Sequence, residues 1–208
     1  MTQVYRSVLE RDQQNQTGRR LHFYAKGEEI PLVPQGVWQI NQGIVQLTTL
    51  CQNGEEVWLG WAETSAFFGC CFSLLRSYQA KALTDVHLTW FSQAEIDASP
   101  HLSQLVLPQM VRRLRQAEAM LAILGMRRVE DRLQQLLLLM KGEIGQPVAE
   151  GTRISMRLTH QNLANAIGTT RVTITRLLGK LKSEGSITLD GDRHLIIKND
   201  GLNHTLNW

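Results

Sequence analysis

The chain has 208 residues, 43% of them hydrophobic, and carries 22 Lys and Arg against 19 Asp and Glu, a net charge of +3. This length accommodates one or two domains with a buried core. Because no apolar run is long enough to span a bilayer and no signal-peptide pattern is present, we expect a cytoplasmic protein without a membrane partner. The three cysteines, Cys51, Cys70 and Cys71, fit neither a secreted disulfide framework nor a zinc site, so we expect buried thiols.

The N-terminal half has the pattern of short β-strands separated by turns. Apolar residues alternate with polar ones around Val45 and Leu47, and Asn53-Gly54 then supplies a strong hairpin turn. Several short strands at this spacing predict an antiparallel roll or jelly roll, which we assign to residues 1–104.

A roll of this kind can also hold an enzyme. Metal-dependent enzymes of cupin type place paired histidines and a carboxylate on adjacent strands. His22 and His87 each stand alone in the sequence, without a second histidine or a carboxylate in such a pattern. We keep a cupin-like enzyme as the alternative and predict that the chain is not an enzyme and has neither a metal site nor catalytic residues.

Residues 105–126 have the heptad spacing of a helix that pairs with a second copy of itself. Apolar side chains recur at intervals of three and four residues, as in the a/d seam of a coiled coil. The predicted interface of this parallel homodimer consists of Met110, Leu114, Ala117, Leu121 and Leu124. A core within one chain could use the same stripe. Pro108 is compatible with the helix only near its first turn, where a missing N–H has no consequence.

A second, leucine-rich helix is predicted over Val129–Lys141. Gly142, Gly145 and Pro147 follow it, and residues of these types end helices and begin connectors. This helix leads a third region, residues 127–208, which contains the most informative pattern of the chain.

That pattern is Leu158–Gly185, LTHQNLANAIGTTRVTITRLLGKLKSEG, which predicts two short helices joined by a tight turn. Thr159 is a candidate N-cap of the first helix, Gly168 ends it, and Thr170 caps the second helix. Such a helix-turn-helix lays its second helix in the major groove of DNA.

The second of these helices separates an apolar face from a basic one. Leu177, Leu178 and Leu181 are expected to pack inward together with Val172 or Thr173. The residues predicted to contact DNA are Thr169, Thr170, Arg171, Val172, Thr173, Thr175, Arg176 and Lys180.

Two further features agree with DNA binding. Ser186–Leu189 and His194–Ile197 flank an Asp190-Gly191-Asp192 turn, which predicts a β-hairpin, or wing, behind the second helix. Residues 151–208 carry eight Lys and Arg against four Asp and Glu, whereas residues 1–150 carry 14 against 15. The basic excess therefore lies with the helix-turn-helix.

The segment IGTTRVTITRLLGKLKSEG resembles the DNA-binding domain of the superfamily of the cyclic-AMP receptor protein and the fumarate-nitrate regulator (Crp/Fnr), and is most similar to its cyanobacterial nitrogen-control branch. The resemblance extends back through Arg132, Leu114 and Arg112 and, less sharply, to Phe68-Gly69. It implies an α+β fold with an N-terminal double-stranded β-roll like the cyclic-nucleotide-binding jelly roll, a long dimerisation helix and a C-terminal winged helix-turn-helix. It also implies a homodimeric transcription regulator whose partners are double-stranded DNA and RNA polymerase.

The resemblance further implies a pocket for a small effector. In the members that bind cyclic AMP, a glutamate follows a glycine, an arginine-serine pair holds the phosphate, and a threonine-serine pair on the dimer helix contacts the adenine. This chain keeps Arg76-Ser77 but has Cys70 in place of the glutamate and Ala117-Glu118 in place of the adenine contacts, which disfavours cyclic AMP.

The nitrogen-control relatives bind 2-oxoglutarate, and comparison with them retains more of the ligand groups. Two arginines could pair with the two carboxylates while backbone N–H groups hold an oxygen. The residues that resemble that site are Phe68, Gly69, Cys70, Cys71, Arg76 and Arg127. Two alternatives stay open: a pocket for 2-oxoglutarate or a similar metabolite, and an empty pocket in a regulator that needs no effector.

Redox and haem sensing are the remaining alternatives. An iron–sulfur sensor of this superfamily needs about four cysteines, largely near the N-terminus, and none precedes Cys51. Haem needs an axial ligand, for which His87 and Cys70 are candidates. Cys70 and Cys71 could oxidise, although a disulfide between adjacent residues is strained.

Three side chains of the second helix predict the DNA sequence. Arg171 and Arg176 project from one face, and arginine pairs bidentately with guanine. Val172 stands where the cyclic-AMP receptor branch has a glutamate, and valine can contact a thymine methyl group. We predict a palindromic site with GTA/TAC-like half-sites. The alternative is that Val172 packs inward and the arginines alone determine specificity.

Overall fold

A computed structural model of the chain describes residues 13–14, 19–199 and 201–202. The chain forms two compact units. The first contains the chain up to Arg115 except Glu56–Leu59, and the second contains Glu56–Leu59 and the chain from Gln116. Within the described ranges, no helix combines the length and the apolarity needed to cross a bilayer.

Antiparallel β-sheet builds the first unit, as the alternating pattern predicts. Over the described residues, one sheet has the strand order β1-β2-β8-β3-β6 and the other has the order β5-β4-β7. The strands are β1 (Gln13–Gln14), β2 (Arg20–Tyr24), β3 (Gly36–Gln42), β4 (Ile44–Leu50), β5 (Glu56–Glu63), β6 (Phe67–Phe68), β7 (Tyr78–Ala82) and β8 (Val86–Ser92). The predicted β-roll is confirmed.

The hairpin of β4 and β5 forms at the predicted turn. Gly54 has a φ of 81°, a left-handed conformation that glycine adopts without strain. The N–H of Cys51 donates to the carbonyl of Glu55 at 2.9 Å across the turn. In β4, however, Gln46 is only 3% exposed, and its neighbours Val45 and Leu47, whose side chains point to the opposite face of the strand, are buried too. Both faces of this strand are therefore covered, and the alternation in the sequence does not mark a solvent face.

The thiols are not buried as expected. Cys51 and Cys71 are exposed, and Cys70 is half-buried. Cys51 lies directly before the hairpin turn, while Cys70 and Cys71 belong to a 3-10 turn, Cys70–Phe72, that follows β6. Turn segments run over the surface because their backbone groups need water as a hydrogen-bond partner, so these cysteines become accessible.

Three helices follow the roll: α1 (Gln93–Ala98), α2 (Pro100–Gly125) and α3 (Val129–Ile144). The long helix α2 begins at Pro100 rather than at residue 105, and Pro108 therefore lies inside it and not in its first turn. The missing N–H of Pro108 removes one hydrogen bond of the helix.

Helix α3 passes through Gly142 and ends beyond the predicted Lys141. Its last turn buries Met140 and Ile144, whose exposures are 0% and 3%. This burial outweighs the cost of about 1 kcal/mol for a glycine inside a helix. Tertiary packing thus overrides the local stop signal.

The second unit contains a sheet with the strand order β11-β12-β10-β9 among the described residues, and two further helices. These elements are β9 (Gly145–Val148), β10 (Gly151–Ile154), α4 (His160–Ile167), α5 (Arg171–Ser183), β11 (Ile187–Leu189) and β12 (Leu195–Lys198). The segment after α3 is not a simple connector as predicted, because β9 pairs with β10 from Gly145↔Ile154 to Val148↔Gly151. The exposed residues of β9 carry no alternating signal, and only the backbone pairing makes them a strand.

Arg132 on α3 hydrogen-bonds two backbone carbonyls at once. Its Nε donates to the carbonyl of Met126, just after α2, at 2.8 Å, and its Nη1 donates to the carbonyl of Ile167, the last residue of α4, at 3.1 Å. Carbonyls at helix ends lack partners within their own helix. One guanidinium therefore joins the end of α2 to the turn that follows α4.

We expect Arg132→Met to lower the free energy of unfolding by about 2–3 kcal/mol, because two carbonyls lose a charged donor while the apolar length of the side chain is largely kept. Arg128→Met is the matched control, since the Arg128 side chain makes no capping hydrogen bond at the start of α3. It should change the stability by less than about 0.5 kcal/mol. Urea unfolding followed by circular dichroism measures both, and equal losses in the two variants would contradict the role of Arg132.

Candidate DNA-binding surface and effector site

Helix α4 has the two ends that the sequence predicts. Oγ1 of Thr159 accepts a hydrogen bond from the N–H of Asn162 at 3.0 Å, and the Asn162 side chain accepts one from the N–H of Thr159 at 3.1 Å. This reciprocal capping satisfies two donors at the start of the helix. At the other end, Gly168 adopts a left-handed conformation with a φ of 63°. The chain can therefore turn sharply into α5.

Helix α5 begins at the predicted N-cap, since Oγ1 of Thr170 accepts from the N–H of Thr173 at 3.2 Å. Its buried residues are Ile174, Leu177, Leu178 and Leu181. These positions follow one another at intervals of three, one and three residues and form a single face. Of the two residues expected to pack inward, Val172 does not, because it is 79% exposed, and Thr173 is half-buried; Ile174, which was not expected there, is fully buried.

The opposite face of α5 is basic and polar apart from Val172. The exposed residues of the predicted DNA contacts are Thr170, Arg171, Val172, Thr175, Arg176 and Lys180, whereas Thr169 and Thr173 are half-buried. Five residues separate Arg171 from Arg176, about 7.5 Å along the helix axis. This distance is about two base-pair steps of a duplex.

Lys180 already has a partner within the unit. Its Nζ donates to Oε1 of Glu130 on α3 at 2.7 Å, and this hydrogen bond raises the pKa of the lysine. Exposed ion pairs are weak in water. A phosphate could therefore replace Glu130 as the partner of this ammonium group.

His160, the first residue of α4, belongs to the same surface but was not among the predicted residues. Its Nδ1 lies 2.7 Å from Oγ1 of Thr175, and that hydroxyl donates to the carbonyl of Arg171 at 2.9 Å. Burial and, next, the charges of Arg171 and Lys182 lower the pKa of the imidazole. No local sequence signal marks this contact, because it joins two helices.

Strands β11 and β12 form the predicted wing, with Leu189 opposite Leu195. In its turn, Oδ2 of Asp190 accepts from Nε of Arg153 at 2.6 Å, a bond that lowers the pKa of the carboxyl group. Nη2 of Arg153 lies 2.6 Å from Nδ1 of His194. Asp190, Asp192 and His194 each have one atom that could bind a metal ion, and these atoms lie within 4.8 Å of one another. Asp190 and His194, however, both contact Arg153 of β10. We interpret the cluster as a network that stabilises the wing.

Most of the predicted seam on α2 is exposed. Leu114, Leu121 and Leu124 are 60%, 72% and 38% exposed, and Ala117 is exposed as well. Met110 differs, because it packs against the buried cluster of Val37, Phe67, Phe91, Ile96 and Val106 in its own chain. One member of the stripe therefore contributes to the core of the first unit, and the other four present an apolar row.

The candidate effector residues begin in the core of the roll. Phe68 is 1% exposed and lies opposite Trp38 of β3. Gly69 follows in a crowded position, where a Cβ atom would come within 2.7 Å of the carbonyl oxygen of Gly36. A larger residue at 69 would push the 3-10 turn away from β3.

The two adjacent thiols both face backbone carbonyls. Sγ of Cys70 lies 3.6 Å from the carbonyl of Val33, and Sγ of Cys71 lies 3.6 Å from that of Gly36. Burial and, next, the neighbouring Cys70 raise the pKa of the Cys71 thiol. A thiol with a raised pKa stays protonated near neutral pH and reacts slowly.

The two candidate arginines are exposed and lie in different units. Arg76 precedes β7 in the first unit, and Arg127 lies between α2 and α3 in the second. His87, the candidate haem ligand, lies on β8, where its ring packs against Phe23 with 5.2 Å between the ring centroids.

Comparison with known proteins adds to this geometry. Residues 131–203 match the family model of the Crp-like helix-turn-helix domain. The global nitrogen regulator of Nostoc sp. (strain PCC 7120) is 35% identical over 163 residues, which cover 74% of this chain and 73% of that protein. The regulatory protein CysR of Synechococcus elongatus is 35% identical over 173 residues, or 80% of each chain. A solved CRP/FNR-family transcriptional regulator from Thermus thermophilus has a TM-score of 0.69 at 24% identity, and the match covers 86% of this chain and 93% of that one.

These similarities agree with the capped helix-turn-helix, the wing and the β-roll. The matched proteins are transcription regulators, which confirms the prediction of a regulator rather than a cupin-like enzyme. The chain belongs to the Crp/Fnr superfamily of DNA-binding transcription regulators, in the branch of the global nitrogen regulators.

Proposed function

We propose that the chain acts as a homodimer on palindromic DNA sites with GTA/TAC-like half-sites. The observation that carries the proposal is the outward face of α5, on which Val172, 79% exposed, lies next to Arg171 and one turn from Arg176. As the resemblance implies, the regulator would act in the cytoplasm on double-stranded DNA and together with RNA polymerase.

Each type of side chain on this face has a partner of matching chemistry in a duplex. Arginine donates two hydrogen bonds to O6 and N7 of a guanine, and valine contacts the methyl group of a thymine. The remaining predicted contacts offer hydroxyl or ammonium groups suited to phosphate oxygens, except Thr175, whose hydroxyl hydrogen is donated to the carbonyl of Arg171 and which would help to position the helix. They are Thr169, Thr170, Thr173, Thr175 and Lys180.

We expect Val172→Glu to weaken binding to a GTA/TAC duplex and to improve binding to a TGTGA-like duplex. A glutamate loses the contact with the thymine methyl group but can accept a hydrogen bond from a cytosine amino group, and each good contact contributes about 1–3 kcal/mol. Fluorescence anisotropy with both duplexes at one fixed salt concentration measures the change in preference.

Val148→Glu is the control for the added charge, because Val148 lies on β9 of the same unit and is 37% exposed. This variant should weaken binding to both duplexes slightly and equally. If Val172→Glu also lowers the affinity for both duplexes equally, or leaves both affinities unchanged, then residue 172 takes no part in base recognition and the two arginines alone specify the site.

The proposed dimer forms along α2. Four apolar residues of its seam are exposed at intervals of three and four: Leu114, Ala117, Leu121 and Leu124. Burying one leucine side chain contributes about 1.5–3 kcal/mol, so a row of them on each of two helices favours association. A two-fold pair would present two copies of α5 to half-sites about 34–36 Å apart.

We expect Leu121→Glu to convert the dimer into monomers, because two carboxylates would face each other in an apolar contact. Ala122→Glu adds the same charge at the next exposed position, about 100° around the helix and away from the seam. Sedimentation equilibrium should show monomers only for the first variant. A dimeric Leu121→Glu protein with unchanged DNA binding would assign the stripe to a contact within one chain.

For the effector we propose 2-oxoglutarate or a similar dicarboxylate, with Arg76 and Arg127 as its partners. The support is the resemblance to the nitrogen-control branch and the exposure of both side chains. A guanidinium group pairs bidentately with a carboxylate, so two arginines match a ligand with a carboxylate at each end.

Calorimetric titration with 2-oxoglutarate should give heat of binding that Arg76→Ala and Arg127→Ala each abolish and that Arg128→Ala retains. Cyclic AMP should give none, because the groups that hold its ribose and adenine are replaced. If the unsubstituted protein gives no heat of binding with 2-oxoglutarate, a regulator that needs no such effector is favoured. Heat with cyclic AMP would show that the replacements at Cys70 and Ala117 matter less than we infer.

A further inference from the structure

The hydrogen bonds around Thr175 determine which ring nitrogen of His160 carries a proton. The hydroxyl of Thr175 has one hydrogen, which it donates to the carbonyl of Arg171 at 2.9 Å. We therefore assign it as the acceptor at its 2.7 Å contact with Nδ1 of His160. Nδ1 keeps its hydrogen in the neutral and in the charged ring, so gain and loss of a proton take place at Nε2.

Nε2 is available to a ligand at the surface of the helix-turn-helix. In the part of the chain that the structure describes, no residue hydrogen-bonds this nitrogen. His160 is the first residue of α4 and is held beside the exposed face of α5. In a helix-turn-helix the first helix crosses the sugar-phosphate backbone when the second enters the major groove. The nearest ligand of matching chemistry is therefore a phosphate group.

The surroundings of the imidazole favour its neutral form before DNA binds. Burial and, next, the charges of Arg171 and Lys182 of α5 lower the pKa of the ring, and α4 itself contains no Asp, Glu, Lys or Arg. From α3, which also packs against α4, the cation Arg132 reaches only the far end of α4, at Ile167. These effects favour the neutral form of the ring in the free protein, and a phosphate would reverse this balance by favouring the charged form.

Resting on the proposed DNA binding by α5, we propose that Nε2 of His160 binds a backbone phosphate of the half-site and takes up a proton as it does so, so that DNA affinity rises as the pH falls. The complex then binds more protons than the free protein, which by linkage strengthens binding in acid. The gain in affinity is absent at high pH and appears as the pH falls through the pKa that His160 has in the complex. Each unit by which DNA raises the pKa gives about a tenfold gain in affinity per half-site.

The test compares DNA affinity between about pH 5.5 and pH 8, the range in which histidine changes charge, for the full-length protein and two variants. His160→Asn keeps an N–H donor for Thr175 but cannot gain a charge. His101→Asn removes an exposed histidine of α2 in the first unit. We expect about a tenfold or larger rise in affinity per half-site towards low pH for the unsubstituted protein and for His101→Asn, and a flat profile for His160→Asn.

NMR titration of the His160 Cε1–H resonance supplies a measurement that needs no substitution. The pKa of His160 should be higher in the complex with a GTA/TAC duplex than in the free protein. An unchanged pKa, or a His160→Asn profile as steep as that of the unsubstituted protein, would overturn the inference while DNA binding itself stands. Failure of the unsubstituted protein to bind the duplex at any pH would overturn the proposed function and this inference with it.

Discussion

Burial of Ile174, Leu177, Leu178 and Leu181 determines how α5 is rotated about its own axis. Each of these side chains contributes about 1.5–3 kcal/mol when it leaves water for the core. Turning the helix to expose them would therefore cost more than the contact with one base pair, about 1–3 kcal/mol, could recover. Val172 and Arg176 are exposed because the opposite side of the helix is packed in the core.

The outward face is not a set of independent charges. The hydroxyl of Thr175 is used twice within the protein, by His160 and by the carbonyl of Arg171, and Lys180 is paired with Glu130. Side chains that are already held in place lose less conformational entropy when a partner binds. The same bonds restrict what each group can offer, since Thr175 can still accept a hydrogen bond or present its methyl group but has no hydrogen left to donate.

Arg132 connects this surface to the helix that carries the apolar row. By bonding the carbonyls of Met126 and Ile167, it joins the end of α2 to the turn at Gly168. That turn leads directly into α5, so the loss of Arg132 would weaken this connection as well as the fold.

The sequence by itself determined the features whose causes are local. The caps at Thr159 and Thr170, the left-handed turn at Gly168 and the two hairpins depend on residues within a few positions of one another, and all form as predicted. Tertiary structure decided which face of each helix is buried, and so placed Ile174 inward and carried α3 past Gly142. It also decided the exposure of the thiols and the contact of His160 with Thr175. These outcomes depend on partners far along the chain, 15 residues away for His160 and 35 for Arg132. No pattern of period two or 3.6 contains that information, because such a pattern shows that a face is apolar but not what covers it.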